Sequence, residues 1–245
     1  MDLKEFDKTK ANRHPWETAR LKALSAILRP HLFNGVKILD VGCGDGFISM
    51  GLFGHLQIKK ITAVDINLSD KQMLEFNNSS DQIEYTRKLP DSGSFDLVLL
   101  LDVLEHVKDD ANFFSDIVKR YMSKGDKVLL TVPAFQSIYG HHDVNLGHYR
   151  RYNLKELESL AISGGIKILS SGYLFASLLL PKYFLCKLFN VGKVSEGVGQ
   201  WNGGRYLTYI LNCFLNIDNS LLLFLSRFGI KLPGLTGWVL CEKQQ

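Results

Sequence analysis

Two groups of residues in this chain carry side chains able to do chemistry. The first is Asp40-Val41-Gly42-Cys43-Gly44-Asp45-Gly46, joined later in the chain by a second acid, Asp65. Glycines at alternate positions tolerate φ > 0 and let a ligand approach the backbone closely. Phe47-Ile48-Ser49-Met50 then reads as a helix start, whose free N–H groups and partial positive charge suit a carboxylate. An acid placed like Asp65, at the end of the following strand, can accept hydrogen bonds from both hydroxyls of a ribose. Together these residues describe a site for a nucleoside that carries a carboxylate. Cys43 is read as a small side chain that fits a tight turn, not as a nucleophile. The competing reading is a strand-to-helix turn without chemical meaning, and the offsets of Asp40 and Asp65 argue against it.

The second group lies in residues 133–152, where four aromatics, three histidines, two arginines and an acid crowd one connection. Histidine can accept a proton near neutral pH, so His142 and His148 are candidate proton acceptors, with Asp143 to orient them. Arg150 and Arg151 can clamp a phosphate or carboxylate bidentately. The structural alternative pairs Asp143 with Arg151 inside the loop and uses Tyr152 to cap the next helix. His141, His142 and His148 are a further, less favoured, combination for a metal.

These groups need a scaffold that brings them together. Val36–Val41, Ile61–Asp65, Gln82–Thr86, Phe95–Leu101 and Lys127–Val132 read as five buried strands. Helices are expected between them, over about 69–76 and 109–121, which predicts a parallel sheet covered on both faces. Before the first strand, Pro15 suits the first turn of a helix running to about Leu28, with Pro30 ending it. After the second chemical group, Asn153 is an N-cap for a helix ending at Gly164-Gly165. Ile166–Ser170 and Trp238–Glu242 are the expected sixth and seventh strands.

The G-x-G-x-G spacing after Asp40 departs from the G-x-G-x-x-G dinucleotide fingerprint. It resembles motif I of class I S-adenosylmethionine-dependent methyltransferases. Asp102-Val103-Leu104-Glu105-His106-Val107 looks like the motif after strand four in methyltransferases related to the ubiquinone-biosynthesis type. His142, Asp143, Gly147, His148, Arg150, Arg151 and Tyr152 match the H-D-x-x-x-G-H-x-R-R-Y loop of a bacterial subgroup, many of whose members are linked to cell-surface glycan or lipid pathways. The resemblance implies an α/β fold: a Rossmann-like, doubly wound, seven-stranded sheet with helices on both faces. It implies S-adenosyl-L-methionine as cofactor, and methyl transfer to an O, N or C nucleophile of a small-molecule or lipid- or glycan-linked acceptor. The implied cofactor residues are Asp40, Gly42, Cys43, Gly44, Gly46, Asp65, Ile66 and Asp102, with Trp16 and Arg20 on a cover helix at 14–30. For Trp16 and Arg20 the alternatives are a core anchor and a solvated charge. Glu105 and His106 are expected to wall the site rather than react. His142, Asp143, His148, Arg150 and Arg151 are the catalytic and substrate candidates, and no metal is expected because methyl transfer needs none. The chain departs from many relatives at Tyr85-Thr86-Arg87-Lys88-Leu89-Pro90, where no acid is available for adenine.

Residues 174–234 form an apolar helical insertion between strands six and seven, within a single domain spanning 1–245. The expectation is one helix kinked or broken at Pro181, then two helical pieces separated near Asn216-Ile217-Asp218-Asn219, with a flexible Gly197–Gly204 between. The insertion is read either as a layer burying its own apolar faces or as a lid or membrane-interface element, with Lys182, Lys187, Lys193 and Arg205 available to anionic headgroups. A net charge of +4 is too mild to imply nucleic acid. Four scattered cysteines suit reduced thiols in a cytosol. Met1–Phe6 lacks the apolar core of a signal peptide, and no uninterrupted apolar run reaches membrane-span length. The expected location is cytoplasmic, or peripheral at the inner face of the membrane. Two rival functions remain: a non-catalytic methyltransferase-fold protein holding a lipid or protein partner on the insertion, and an NAD-dependent oxidoreductase.

Overall fold

The computed structural model describes residues 13–31, 34–53, 58–188, 201 and 203–244. The charged stretch at 1–12 and the glycine-containing segment at 197–200, with Lys193, lie outside them. Seven strands form one sheet: β1 (Lys37–Val41), β2 (Lys60–Val64), β3 (Ile83–Thr86), β4 (Leu97–Leu101), β5 (Lys127–Pro133), β6 (Ile166–Leu174) and β7 (Thr236–Lys243). Their order is β3-β2-β1-β4-β5-β7-β6, with β7 antiparallel to both neighbours and every other pairing parallel. The chain reverses its direction of winding between β1 and β4, which is where open α/β sheets form a ligand crevice.

Alternation along the strands builds two cores. Ile38, Ile61, Leu99, Leu129 and Leu240 pack with α1 (Pro15–Leu28) and α2 (Phe47–Phe53) on one face. Leu39, Val98, Leu100, Val128 and Val239 pack on the other face with α4 (Asp110–Tyr121) and α6 (Leu154–Ser163). The eight-residue α3 (Asp70–Asn77) is opened by a capping box between Ser69 and Gln72. Asn153 and Glu156 make the same box for α6.

Four elements differ from the sequence expectation. The connection after β5 contains a short helix, α5 (His141–Leu146), closed by Gly147 at φ 80°. β6 continues through Tyr173-Leu174, because β7 supplies pairing partners out to Thr236. In the insertion, Pro181 falls in the first turn of α7 (Leu179–Leu188), where no intrahelical N–H is required, so it neither kinks nor breaks a helix. The two later pieces are one continuous helix, α8 (Arg205–Ser226). Asn216–Asn219 does not interrupt it, since its polar groups have tertiary partners. Asn219 accepts the Phe175 N–H at 2.9 Å, and Asp218 accepts the Ser177 hydroxyl at 2.8 Å. α8 packs along α1 and β6, on the same face as the α1 core.

Candidate active site

The parallel strands deliver their C-terminal ends to one edge of the sheet. Among the described residues the non-glycine positions with positive φ are Asp102 (58°), Phe135 (63°) and Phe175 (62°). They follow the ends of β4, β5 and β6, so all three lie along that edge. Strained backbone of this kind persists where surrounding structure enforces it, and it concentrates at ligand sites.

The glycine loop opens the edge at β1. Gly42, Gly44 and Gly46 have φ of 74°, 57° and 74°. A Cβ on Gly42 would stand 2.6 Å from Val103 Cγ2, and one on Gly46 would overlap the Tyr85 hydroxyl. The loop is anchored to β2 through Gly42 N–H and Cys43 N–H, which donate to the Val64 carbonyl at 2.7 and 3.1 Å. Asp65 ties it further: its carboxylate accepts the Gly44 N–H at 2.9 Å and the Asn67 N–H at 2.9 Å. Asp65 therefore holds the loop and remains partly exposed at the crevice, while neighbouring Ile66 is 80% exposed. Cys43 is buried, and burial together with the Asp40 charge pushes its thiol well above the usual range, which rules out a ready thiolate.

Asp40 lies beneath the loop. Its Oδ2 accepts from the Ser49 hydroxyl, while its Oδ1 is buried with no partner among the described residues. Burial raises this carboxyl to about 6, against a smaller opposing effect from Ser49. A cationic or N–H-bearing ligand would supply the missing donor. Arg20 is not a solvated charge: it is 3% exposed. It pairs with Asp102 at 2.5 Å and donates to Thr131 Oγ1 at 2.7 Å. Burial alone would raise the Asp102 carboxyl, but the Arg20 guanidinium and the Thr131 hydroxyl outweigh it and hold it below the usual range. Trp16 lies beside Arg20, 5.3 Å from guanidinium to ring, and against Phe175. The α1 helix thus reaches the crevice through Trp16 and Arg20.

The second chemical group is organised by Asp143, which is 1% exposed. Its carboxylate is bonded to His148 Nδ1 at 2.9 Å, Arg151 Nε at 2.8 Å and the Gly140 N–H at 2.9 Å. Burial works against the charge, but the His148 bond, Arg151 and the Gly140 N–H pull the carboxyl down to about 2. Arg151 is buried and also donates to the Ala134 carbonyl at 3.2 Å. Arg150 is directed to Asp110 at 3.3 Å and to the Lys108 carbonyl at 2.6 Å. Tyr152 donates to Asp110 at 2.6 Å, and Asn153, not Tyr152, caps the helix. Of the histidines, His148 meets the acid. His142 is partly exposed on α5, and His141 is exposed.

Sequence reasoning assigned Glu105 and His106 to the wall alone. The fold brings both to His148: the His106 and His148 rings meet edge to face at 4.6 Å. One ligand atom from each of Glu105, His106 and His148 lies within 4.8 Å of the others, which replaces His141, His142 and His148 as the group able to hold a cation. Glu105 is fully buried, both carboxylate oxygens are without partners among the described residues, and burial plus the Asp102 charge raise its carboxyl well above the usual range. The D-V-L-E-H run was the available signal, but its contact with His148 depends on the long connection folding back, where Tyr149 N–H bonds the Glu105 carbonyl at 2.7 Å.

A family model described as a methyltransferase domain matches residues 11–171. The chain is 28% identical over 134 residues to the ubiquinone biosynthesis O-methyltransferase of Rickettsia bellii, covering 51% of this chain and 55% of that protein. It is 34% identical over 107 residues to the mitochondrial ubiquinone biosynthesis O-methyltransferase of Arabidopsis thaliana, covering 41% and 33%. The chain thus spans 55% and 33% of the length of these two curated relatives. Among solved structures, the N-methyltransferase NodS from Bradyrhizobium japonicum WM9, in complex with S-adenosyl-L-homocysteine, superposes with a TM-score of 0.57 at 12% identity, over 100% of this chain and 95% of that one. A phosphoethanolamine N-methyltransferase from Haemonchus contortus, in complex with S-adenosyl-L-methionine, gives 0.56 at 18% identity, over 91% and 52%. At those identities the likeness speaks for the fold.

Proposed function

The chain belongs to the methyltransferase-domain family, and from that premise we propose that it transfers the methyl group of S-adenosyl-L-methionine to a hydroxyl oxygen of a small, lipid- or glycan-linked acceptor. The observation that carries this reading is the Asp143–His148 dyad at the ligand edge. With Nδ1–H donated to Asp143, the other ring nitrogen of His148 is the one able to take a proton from an acceptor. A hydroxyl gains most from such a base, because its oxygen is a poor nucleophile until the proton leaves. The relatives named for ubiquinone biosynthesis are O-methyltransferases by name.

The residues fit the cofactor. The glycine loop leaves positive-φ backbone without side chains at the crevice, the partnerless Asp40 oxygen can meet an ammonium, and Asp65 and the Arg20–Asp102 pair offer groups for a ribose and a carboxylate. When bound, S-adenosyl-L-methionine supplies an electrophilic methyl group on a sulfonium. The chain's own part is to align acceptor and donor and to exclude water. Arg150, at the rim, is the candidate to meet an anionic substrate group, while Arg151 holds Asp143 in place.

Calorimetric titration with S-adenosyl-L-methionine and S-adenosyl-L-homocysteine, beside Asp65→Ala, tests the cofactor. Labelled-methyl transfer to phenolic and lipid-linked hydroxyls tests the reaction. His148→Ala is expected to lower turnover on the order of 10²- to 10⁴-fold. Unchanged turnover with both His142 and His148 replaced by alanine would remove the base. No binding of either compound by folded protein would favour a non-catalytic binding protein, and tight NAD binding would favour an oxidoreductase. A second reading rests on the partnerless Glu105 carboxylate: a divalent cation on Glu105, His106 and His148 that activates the acceptor hydroxyl. Loss of turnover on chelation, restored by a divalent cation, would select it over the dyad alone.

A further inference from the structure

α8 is apolar on its outward side as well as on the side it packs against the core. A surface helix normally directs apolar residues inward and polar ones to water. In α8 three polar side chains, Asn212, Asp218 and Asn219, have partners in the body of the protein, while Ser220 is exposed on the outward side. Asn212 accepts the Thr18 hydroxyl at 2.5 Å, Asn219 accepts the Phe175 N–H, and Asp218 accepts from Ser177. Buried residues on this helix are Leu215, Asn219 and Leu222. The outward side presents Tyr206, Tyr209, Ile217, Leu221 and Phe224, continued past the helix end by Phe228, with Tyr206 80% and Ile217 70% exposed. Steps of three, four and eight residues place them on one broad stripe along a helix of roughly 33 Å. An apolar surface of that length on a globular protein marks a contact.

Charge identifies the occupant. Among the described residues, α1, α7 and α8 carry no exposed acid: Glu17 is buried and Asp218 is partly buried against Ser177. Exposed cations border the stripe, with Arg205 at its start, Arg227 at its end and Lys22 on α1. Lys22, Asn216, Ile217, Ser220, Leu221 and Phe224 line a shallow groove of about 450 Å³ between α1 and α8. An apolar stripe bordered by cations matches an anionic bilayer surface, with acyl chains against the stripe and phosphates at the cations. A second copy of the chain fits less well. A two-fold contact through this face would bring the cations of both copies together without acids to answer them.

We propose that α8 docks the protein flat on an anionic membrane, with Ile217, Leu221 and Phe224 in the interface and Lys22, Arg205 and Arg227 at the headgroups. By length and composition α8 is the described helix that could cross a bilayer. Crossing would strip Asn212, Asp218 and Asn219 of their partners, so the helix lies on the surface instead. Its first turn adjoins the cover helix, since Thr208 accepts from the Trp201 indole at 2.7 Å and Trp201 meets the His14 ring at 5.2 Å. Docking therefore sets the crevice edge close to the membrane.

The test is cosedimentation of the full chain with vesicles of phosphatidylcholine alone and of phosphatidylcholine doped with phosphatidylglycerol. Binding of S-adenosyl-L-homocysteine and the thermal unfolding curve are measured on every variant as checks of folding. Wild type is expected to sediment with the anionic vesicles, to release as salt rises, and to bind phosphatidylcholine at least tenfold more weakly. The double variant Ile217→Asp, Phe224→Asp and the triple variant Lys22→Glu, Arg205→Glu, Arg227→Glu should each lose at least tenfold in anionic-vesicle affinity while remaining folded. Failure of folded wild type to sediment overturns the proposal, as does unchanged sedimentation of the folded Asp variant. A concentration-dependent dimer that the Asp variant converts to monomer, without vesicle binding by wild type, assigns the face to a second copy and also overturns it.

Discussion

Replacing Asp143 by Asn tests the node on which the second chemical group rests. The native carboxyl is depressed from 3.8 to about 2. A depressed carboxyl contributes stability that is present above its unfolded value and lost as pH falls through its folded value. That window runs from about pH 4 down to about pH 2. A shift of roughly two units corresponds to ~2.5 kcal/mol at neutral pH. Leaving the buried Arg151 without its charge partner sets an upper figure of about 3–5 kcal/mol. Asp143→Asn should therefore lower unfolding stability by about 2–4 kcal/mol at pH 7. The assay is urea unfolding of both proteins, comparing transition midpoints at fixed pH values from 7 downward. Titration of other carboxylates occurs in both proteins and cancels in the difference. The gap should hold from pH 7 to about 4 and narrow below it, as wild type protonates toward a neutral group resembling Asn. Equal midpoints at pH 7, or a gap that stays constant as pH falls below 4, would refute the assignment of Asp143 as an ionised hub.

The opposite sign is expected at Asp40, whose carboxyl is raised from 3.8 to about 6. Wild type should lose up to ~3 kcal/mol relative to Asp40→Asn as pH rises from 4 through 6, read from the same midpoints. Gly46→Ala puts a methyl into the Tyr85 hydroxyl at a φ of 74° and should abolish S-adenosyl-L-homocysteine binding by calorimetry, in a protein still folded by circular dichroism. Asn219→Ala leaves the buried Phe175 N–H without an acceptor and should cost about 1–3 kcal/mol, with faster amide exchange concentrated in α8 and at Phe175.

Much of the scaffold was legible because parallel strands buried on both faces read as short apolar runs. Phe95–Leu101 and Lys127–Val132 needed no partner to be recognised, and their boundaries differ by a residue or two from β4 and β5. The cap at Asn153 was equally local. The insertion was misread for a physical reason: Asn216–Asn219 resembles a break until the partners on Phe175 and Ser177 are in place. Local spacing also put His142 and His148 on equal terms beside Asp143, and it was the turn at Gly147 that brought His148 back to the acid.

The sequence by itself determined the elements that depend on neighbours in the chain: the alternating strands, the helix caps, the glycine loop and the two acids after strands one and two. It also held the residue types needed for a nucleoside site. Only the tertiary structure decided which of those residues meet. Arg20 reaches Asp102, Asp143 takes both Arg151 and His148, and Glu105 and His106 gather against His148. Most of these pairs join separate elements, so their formation depends on sheet order and on how the β5 connection folds. The free energy of ordering such contacts comes from burying the two cores, and no local pattern records which side chains those cores will bring within reach.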